Sequence, residues 1–226
     1  PEYDATSAGA YEATGTLTLP SSWTYTGEQP TVSAIVNVSP AAYASTDALT
    51  TTSISVTYGA TSAEALGLLQ SSVPTVGVNG TNGEDGTATI TWTAIAAYDA
   101  TSPGSYVASG TLGLPASWSG LPGAVTAAVI VLPVEYISTE ALTTQAIWVT
   151  YGATSAEAIA LLDTQAVVNG TNDEQATVNI TWAEITGYDR TSAGAYTATG
   201  TLTLPADWIG IPGSVTATVN VSPAAY

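Results

Sequence analysis

The side chains best placed to do chemistry are carboxylates that stand next to each other at two points in the chain. Glu84 is followed by Asp85, and Asp173 is followed by Glu174. Two carboxyl groups that face each other across a cleft could act as general acid and base in glycoside hydrolysis. Both pairs lie in Asn- and Gly-rich stretches typical of loops, where adjacent side chains point apart and water keeps both groups ionised. We therefore assign no catalytic residue.

The residue inventory excludes most other kinds of active site. The chain has 226 residues with no His and no Cys, and Arg190 is its only basic side chain. Without His, Cys or Lys there can be no Ser–His or Cys–His nucleophile, no Schiff base, and no zinc or haem site of the usual kind. Disulfides and Lys–Asn isopeptide cross-links are excluded as well, so packing and hydrogen bonds must stabilise the fold. We expect a protein that is not an enzyme.

Calcium is the one cofactor that these loops could hold. Carboxylates, Asn oxygens and backbone carbonyls cluster at equivalent positions around Glu84, Asp85, Asp173 and Glu174, and Ca²⁺ prefers oxygen ligands of these kinds. The spacing does not match the calcium loop of an EF-hand, and a solvated hairpin tip explains the same composition. Calcium and a bare hairpin tip both stay open at this point.

Several asparagines stand in the context that is recognised for glycosylation. Five of the seven Asn residues precede any residue and then Ser or Thr, and this pattern favours exposed acceptor positions if the organism glycosylates Asn. The candidates are Asn37, Asn79, Asn169, Asn179 and Asn220.

The charge of the chain limits its partners and its location. The net charge is −17, which argues against binding to nucleic acid or to an anionic membrane, since both need Lys and Arg to neutralise phosphate. Such a charge suits a soluble protein outside the cell. No apolar run reaches the length of a membrane span. The opening Pro1-Glu2 is neither a start Met nor part of a signal peptide, so we expect an internal part of a longer protein.

Exposed aromatic rings would favour a carbohydrate-binding alternative, because they stack on sugars. The chain has six Trp and twelve Tyr. Three Trp follow Leu-Pro in a turn, where they could plug the end of a domain, and two alternate with Ile and are expected in the core. The turn positions are Trp23, Trp118 and Trp208, and the core positions are Trp92 and Trp182. Only Trp148 is expected to be exposed.

The elements that must position these residues repeat about every 90 residues. Tyr-Asp-x-Thr occurs at Tyr3, Tyr98 and Tyr188, and Leu-Pro-x-x-Trp also occurs three times. The repeats predict a partial copy over 1–43, a complete copy over 44–136 and a second complete copy over 137–226. Tandem copies of a folding unit build an elongated molecule, whereas several copies of an active site in one chain are rarely useful. The interpretation is therefore architectural.

Within each complete copy the pattern is that of short strands with one helix. Ile90 and Trp92, like Ile180 and Trp182, alternate with polar residues, which predicts half-buried strands. Six or seven strands per copy, separated by Gly, Pro, Asn and Asp, are typical of an antiparallel sandwich. A Thr followed three residues later by Glu, at Thr61 and Thr154, is a capping box and predicts a short helix.

A recurring Gly-x-Tyr-x-Ala motif carries a family resemblance. The motif occurs at Gly9, Gly104 and Gly194 and resembles the tyrosine corner of immunoglobulin domains with the disulfide Cys replaced by Ala, while Trp92 and Trp182 resemble the core Trp. Together with Tyr-Asp-x-Thr, the motifs look like the group 4 bacterial immunoglobulin-like family. The resemblance implies an all-β fold of tandem immunoglobulin-like β-sandwiches on the cell surface, used as stalks, adhesin shafts or wall components, without catalysis.

We therefore expect an extracellular structural protein, a rod, stalk or filament at the cell surface. The partial copy over 1–43 supplies only the back strands of a sandwich, which leaves an open edge. Covalent continuation with further repeats would complete it, and so would strands donated by a neighbouring chain. A ligand-binding adhesin would instead show an exposed aromatic or acidic cluster unique to one copy. A glycan-acting enzyme would show two carboxylates across a cleft.

Overall fold

The computed structural model describes residues 3–5, 7–24 and 26–225 and shows a mostly β architecture. The strands of the first and middle copies are β1 Gly9–Thr16, β2 Thr31–Val38, β3 Ala41–Thr46, β4 Ser53–Val56, β5 Thr75–Gly80, β6 Asp85–Ile95, β7 Gly104–Gly113, β8 Trp118–Ser119 and β9 Val125–Val131. Those that follow are β10 Val134–Thr139, β11 Ala146–Val149, β12 Gln165–Gly170, β13 Gln175–Trp182, β14 Gly194–Leu202, β15 Trp208–Ile209 and β16 Val215–Val221. The helices are α1 Ser62–Ser72 and α2 Ser155–Ile159, and Thr171–Asp173 form a 3₁₀ turn.

The chain divides into two compact units. Unit 1 comprises Pro1–Ile54, Thr61–Tyr98 and Tyr106–Val129, whereas unit 2 comprises Ser55–Ala60, Asp99–Ser105 and Ile130–Tyr226. Three stretches of the predicted middle copy, 55–60, 99–105 and 130–136, therefore belong to unit 2. The predicted copy boundaries at 43 and 136 fall inside β3 and β10 and stay predictions, because a sequence period does not say where compact packing divides.

Each complete copy forms a curled sheet of seven strands, as in all-β sandwich folds. One sheet has the order β4-β9-β7-β6-β5-β3-β8, and the other has the order β11-β16-β14-β13-β12-β10-β15. The strand β13 curls the second sheet, since Gln175–Asn179 pair with β12 and Ile180–Trp182 pair with β14. The predicted number of strands per complete copy is confirmed. The partial copy contributes a separate two-stranded sheet, β1-β2.

Alternating side chains of these strands form the apolar cores. Ile90 is 1% exposed and Ile180 is 8% exposed, in agreement with the predicted inward phase. Trp92 is buried and its Nε1 donates to the carbonyl of Val73 at 3.1 Å. Trp182 makes the equivalent bond to the carbonyl of Asp163 at 2.8 Å. The expectation of a core position is confirmed for Trp92, and Trp182 is partly buried and packs against two core clusters.

Both helices begin at the predicted capping boxes. The side chain of Thr61 accepts from the backbone N–H of Glu64, and the Glu64 side chain accepts from the backbone N–H of Thr61, with the same exchange between Thr154 and Glu157. Hydrogen bonds from the Thr61 backbone, then from its side chain, hold the pKa of Glu64 below its ordinary value. The carboxylate of Glu64 therefore stays ionised at the positive end of the helix dipole.

The second helix is shorter than the first and ends at Ile159, so Leu162 lies beyond its end. From the N-cap Thr to the Asn-Gly that ends the next strand, the middle copy has three more residues than the last copy. The shorter connection leaves no room for a third turn before β12. Leu162 is nevertheless buried, with 4% of its surface exposed. Its side chain therefore lies in the core although the helical turn is missing.

The Tyr-Asp-x-Thr motifs of the two complete copies form short hydrogen-bonded turns. The Oδ1 atom of Asp99 accepts from the N–H and hydroxyl of Thr101 at 2.9 and 2.8 Å, and Asp189 does the same with Thr191. Both contacts form Asx turns. The third turn, at Asp4, would involve Thr6, which lies outside the described residues.

Tyr11 and Tyr196, each the tyrosine of a Gly-x-Tyr-x-Ala motif, tie their strands to the preceding loops. The hydroxyl of Tyr11 donates to the carbonyl of Ser7 at 2.7 Å. The hydroxyl of Tyr196 lies 3.1 Å from the carbonyl of Asp189 and 3.0 Å from that of Ser192. This bonding of a tyrosine hydroxyl to backbone a few residues upstream has the geometry of a tyrosine corner.

Substitution of Gly200 by Ala is expected to destabilise unit 2 by about 1–3 kcal/mol, because overpacking forces side chains off their rotamers. A Cβ at Gly200 would lie 2.5 Å from Cγ2 of Ile180 and 3.0 Å from Cε3 of Trp182. On the same strand, a Cβ at Gly194 meets nothing within 4 Å, so Gly194→Ala is the matched control. Urea unfolding of both variants gives the comparison, and equal effects would contradict the packing argument.

Candidate functional site

The two carboxylate pairs lie at the tips of separate hairpins. The N–H of Gly80 donates to the carbonyl of Glu84 at 2.7 Å, and the N–H of Gly170 donates to that of Glu174 at 2.8 Å. Asp85 and Asp173 are exposed. Within the described residues, no group of three or more His, Cys, Asp and Glu side chains is arranged to hold a metal ion. Calcium binding at these tips stays a prediction.

The five glycosylation candidates all lie in strands. Three of them use their side-chain N–H in hydrogen bonds: Asn79 Nδ2 donates to Asp47 at 2.8 Å, Asn169 Nδ2 to Ser138 at 3.4 Å, and Asn220 Nδ2 to the carbonyl of Ile147 at 3.2 Å. Asn37 and Asn179 are exposed. A glycan is attached through Nδ2, so these two asparagines are the least obstructed acceptors. Occupancy itself stays a prediction.

The Trp residues of the Leu-Pro-x-x-Trp loops differ in burial. Trp208 is 8% exposed and pairs in parallel with Val134 of β10, and Trp118 pairs in the same way with Ala41. Trp208 therefore belongs to a core cluster with Val134 and Val168, and the plugging of a domain end by these Trp residues stays a prediction. Trp23 is 67% exposed. In the complete copies a strand covers the indole of this Trp. No described residue covers the indole of Trp23, and its burial differs for that reason.

Unit 2 carries a cluster of exposed apolar side chains at β11, the strand at one end of its sheet order. Trp148 is 70% exposed, Tyr151 is 46% exposed and Leu161 is 58% exposed, and all three line one shallow open cavity together with Glu157. We call these four residues the end surface. The expected exposure of Trp148 is confirmed. Its position beside Leu161 could be recognised only from the structure, because Leu161 comes from the segment after α2.

A second notable contact in unit 2 joins residues far apart in sequence. The hydroxyl of Tyr58 donates to Oδ2 of Asp207 at 2.9 Å, and its ring packs against a core that contains Val134, Val168 and Trp208. Tyr58 belongs to a loop of the middle copy, and Asp207 belongs to the Leu-Pro-x-x-Trp loop of the last copy. At the position of Asp207, the other copies have Ser22 and Ser117. The acid is therefore unique to the last copy, which marks Asp207 in the sequence but does not identify Tyr58 as its partner.

The contact changes the ionisation of Tyr58. The hydrogen bond to Asp207 raises the pKa of Tyr58 to about 12, with further contributions from burial and from the negative charges of Asp207, Glu174 and Asp99. Because phenolate cannot donate to the carboxylate, the hydrogen bond exists only while Tyr58 is protonated.

This pKa predicts a specific loss of stability at alkaline pH. The pKa of Tyr58 is raised on folding, so its contribution to stability is complete below pH 10.0, the ordinary value, and is lost as the pH rises towards about 12. Tyr58→Phe is therefore expected to lower the free energy of unfolding of unit 2 near neutral pH. The difference from the wild type should shrink above about pH 10. Urea unfolding over this range measures it.

The matched control is Tyr151→Phe at the equivalent position of the last copy, where the side chain is 46% exposed. This substitution should change neither the stability nor its dependence on alkaline pH. A Tyr58→Phe variant that retains the full alkaline loss of the wild type would contradict the assignment of that loss to the Tyr58–Asp207 bond.

Among the described residues, no helix is both long and apolar enough to cross a membrane. In comparisons with known proteins, no family model matches this chain and no curated protein matches it.

Proposed function

We propose that this protein is an extracellular structural protein whose tandem immunoglobulin-like repeats form a rod, stalk or filament at the cell surface. Its partners in this role are further repeats of the same kind, joined covalently or by self-association. In this role the repeat is a spacer that carries no catalysis and needs no cofactor.

The immunoglobulin-like identity of the repeats is supported by the contacts around the motif tyrosine. Tyr196 bonds backwards to the loop before its strand, and Ala198 occupies the position that a disulfide Cys holds in antibody domains. Ala198 is 0% exposed and shares a core cluster with Trp182 and Tyr196. The resemblance to the group 4 bacterial immunoglobulin-like family stands on these contacts and on the repeated motifs.

The observation that carries the proposed role is that segments of two successive copies build one compact unit. Ser55–Ala60 and Asp99–Ser105 of the middle copy belong to unit 2 together with the last copy. The Tyr58–Asp207 bond and the packing of Tyr58 against Val134 and Trp208 hold that arrangement. Repeats that share a core transmit force along the chain better than repeats joined by a flexible linker.

Immunogold labelling of the source cells with an antibody against this chain tests the proposal. Label along threads or stalks outside the cell envelope is the expected result, whereas label in the cytoplasm would overturn it. The intact mass of the polypeptide from the source, measured under denaturing conditions, adds a second readout. A mass far above 22.7 kDa indicates a covalent array, and a mass near this value indicates discrete subunits that must associate.

The end surface favours one alternative function, an adhesin or carbohydrate-binding module. Trp148 and Tyr151 lie beside Leu161 and the acidic Glu157, and aromatic side chains next to a carboxylate are suited to stacking on a sugar ring and accepting hydroxyl bonds. The position of Trp148 is occupied by Ser55 in the middle copy, so the cluster is unique to one copy. Oligosaccharide binding that is lost in Trp148→Ala would support this alternative, and its absence would leave the spacer role.

A further inference from the structure

Asn220 and Trp148 are direct neighbours on two paired strands of unit 2. Strand β11 pairs in parallel with β16, and the register places Trp148 opposite Asn220. Residues that are opposite each other on neighbouring strands extend to the same side of the sheet. Val219 and Val221, which flank Asn220, are 0% and 2% exposed. Asn220 and Trp148 therefore share the outer side of the sheet, away from the core.

The side chain of Asn220 extends towards the strand that carries Trp148. Its Nδ2 donates to the carbonyl of Ile147 at 3.2 Å, and Ile147 immediately precedes Trp148. The Nδ2 atom of an asparagine carries two hydrogens. This bond uses one of them, and the other can be replaced by the bond to a sugar. The hydrogen bond to Ile147 is therefore compatible with a glycan and holds the acceptor atom on the β11 side.

The surroundings of Asn220 leave space for a sugar ring on the outer side. On the other neighbouring strand, β14, the residue opposite Asn220 is Ala195, whose side chain is exposed and is a single methyl group. On β11 the indole of Trp148 is 70% exposed. One side of a pyranose ring consists of C–H groups, and the face of an aromatic ring is apolar with partial negative charge. The indole is therefore a suitable platform for a sugar linked at Asn220.

The two complete copies differ at both positions together. The middle copy has Ser55 at the position of Trp148 and Ile130 at the position of Asn220. It therefore has neither the aromatic ring nor the acceptor, whereas the last copy has both. Packing in the core does not explain this difference, because the two positions lie on the outer side of the sheet. A ligand that needs both groups explains why they occur together.

We propose that Asn220 is an N-glycosylation site whose first sugar packs its C–H face on the indole of Trp148. The acceptor sequence is Asn220-Val221-Ser222. A separate transferase and a sugar activated as a phosphate ester are the co-reactants. Nδ2 bonds to the anomeric carbon, the bond from that carbon to the phosphate oxygen breaks, the phosphate leaves with the electron pair, and Nδ2 loses one proton. The inference goes beyond the proposed role as a rod, which does not depend on a glycan.

A glycan in this position determines what Trp148 is available for. The first sugar covers the indole, so the apolar part of the end surface that Trp148 supplies is removed from water. The carbohydrate-binding alternative needs the same indole to be free for an external oligosaccharide. Occupation by the chain's own glycan therefore favours the spacer role over that alternative.

The first experiment determines the attachment site in protein from its source, by mass spectrometry of proteolytic peptides. The expected result is a sugar mass on the peptide that contains Asn220, assigned to this residue by fragmentation. Peptides in which Asn220 is exclusively unmodified would overturn the proposal, whatever the state of the other candidate asparagines.

The second experiment measures the contact between sugar and indole in protein that carries the glycan. The ring current of Trp148 should shift proton resonances of the first sugar upfield in the NMR spectrum, and Trp148→Ala should abolish the shift. The contact should also stabilise unit 2. We expect Asn220→Gln to lower the folding equilibrium constant about two- to tenfold when Trp148 is present, as for other contacts of aromatic rings. In Trp148→Ala the same substitution should have no such effect.

The matched control is Asn179→Gln. Asn179 is an exposed candidate on β13 and is opposite Gln165 of β12 rather than an aromatic residue. Its effect on unfolding should be the same in the wild type and in Trp148→Ala. Equal effects of Asn220→Gln in the two backgrounds, together with unshifted sugar resonances, would overturn the stacking. A dependence of Asn179→Gln on Trp148 as large as that of Asn220→Gln would overturn it as well, since Trp148 would then act on the whole of unit 2.

Discussion

Replacement of Trp92 by Ala is expected to destabilise unit 1 by about 3–5 kcal/mol, the usual cost of truncating a large buried aromatic side chain. The side chain is 6% exposed, and its Nε1 donates to the carbonyl of Val73 at 3.1 Å. The substitution removes the apolar contacts of the indole and leaves that carbonyl without its donor. Because small domains are stable by only about 5–15 kcal/mol, much of the stability of unit 1 depends on this residue. Urea unfolding followed by circular dichroism measures it.

The control for this prediction is Trp148→Ala, which removes an indole that is 70% exposed. Its effect on stability should lie within about 0.5 kcal/mol, as for other surface substitutions. Similar effects of the two substitutions would contradict the distinction between a core Trp and an exposed one. The same variant tests sugar binding at the end surface, since its fold should be intact.

Leu69→Ala is the second substitution with a large expected effect, about 2–5 kcal/mol. Leu69 is 0% exposed on α1, whereas its neighbour Leu68 is 43% exposed. The two residues have the same chemistry and the same helix propensity, so Leu68→Ala isolates the contribution of burial. We expect Leu68→Ala to change the free energy of unfolding little. Thermal unfolding of both variants measures the difference, and a loss at Leu68 as large as that at Leu69 would show that α1 does not pack as described.

These two predictions bear on the proposed role. A spacer module without disulfides or isopeptide bonds must resist unfolding through its core alone, and Trp92 and Leu69 are among the residues that form that core. Extracellular shafts that bear load depend on how slowly they unfold. A variant of either residue is therefore expected to shorten the lifetime of the module under force as well as its stability at equilibrium.

Features that depend on neighbouring residues were predictable from the sequence. The capping boxes at Thr61 and Thr154 need only a Thr and a Glu three residues apart, and both are present in the structure. The inward phase of Ile180 follows from a period of two residues. The Asx turns at Asp99 and Asp189 connect residues two apart. In each case the interacting groups are brought together by local backbone geometry, which the order of residue types already determines.

Features that depend on distant residues were decided only by the tertiary structure. The Tyr58–Asp207 bond joins residues 149 positions apart, and no local pattern specifies such a pair. Val36 and Val219 occupy the same position of the same motif, yet one is 41% exposed and the other 0% exposed. The repeat alone therefore predicted a strand with an apolar side at both places, but burial depends on which other segments cover that side. Local sequence determines the shape of each element, whereas the free energy of burial is set by contacts that only the folded chain brings together.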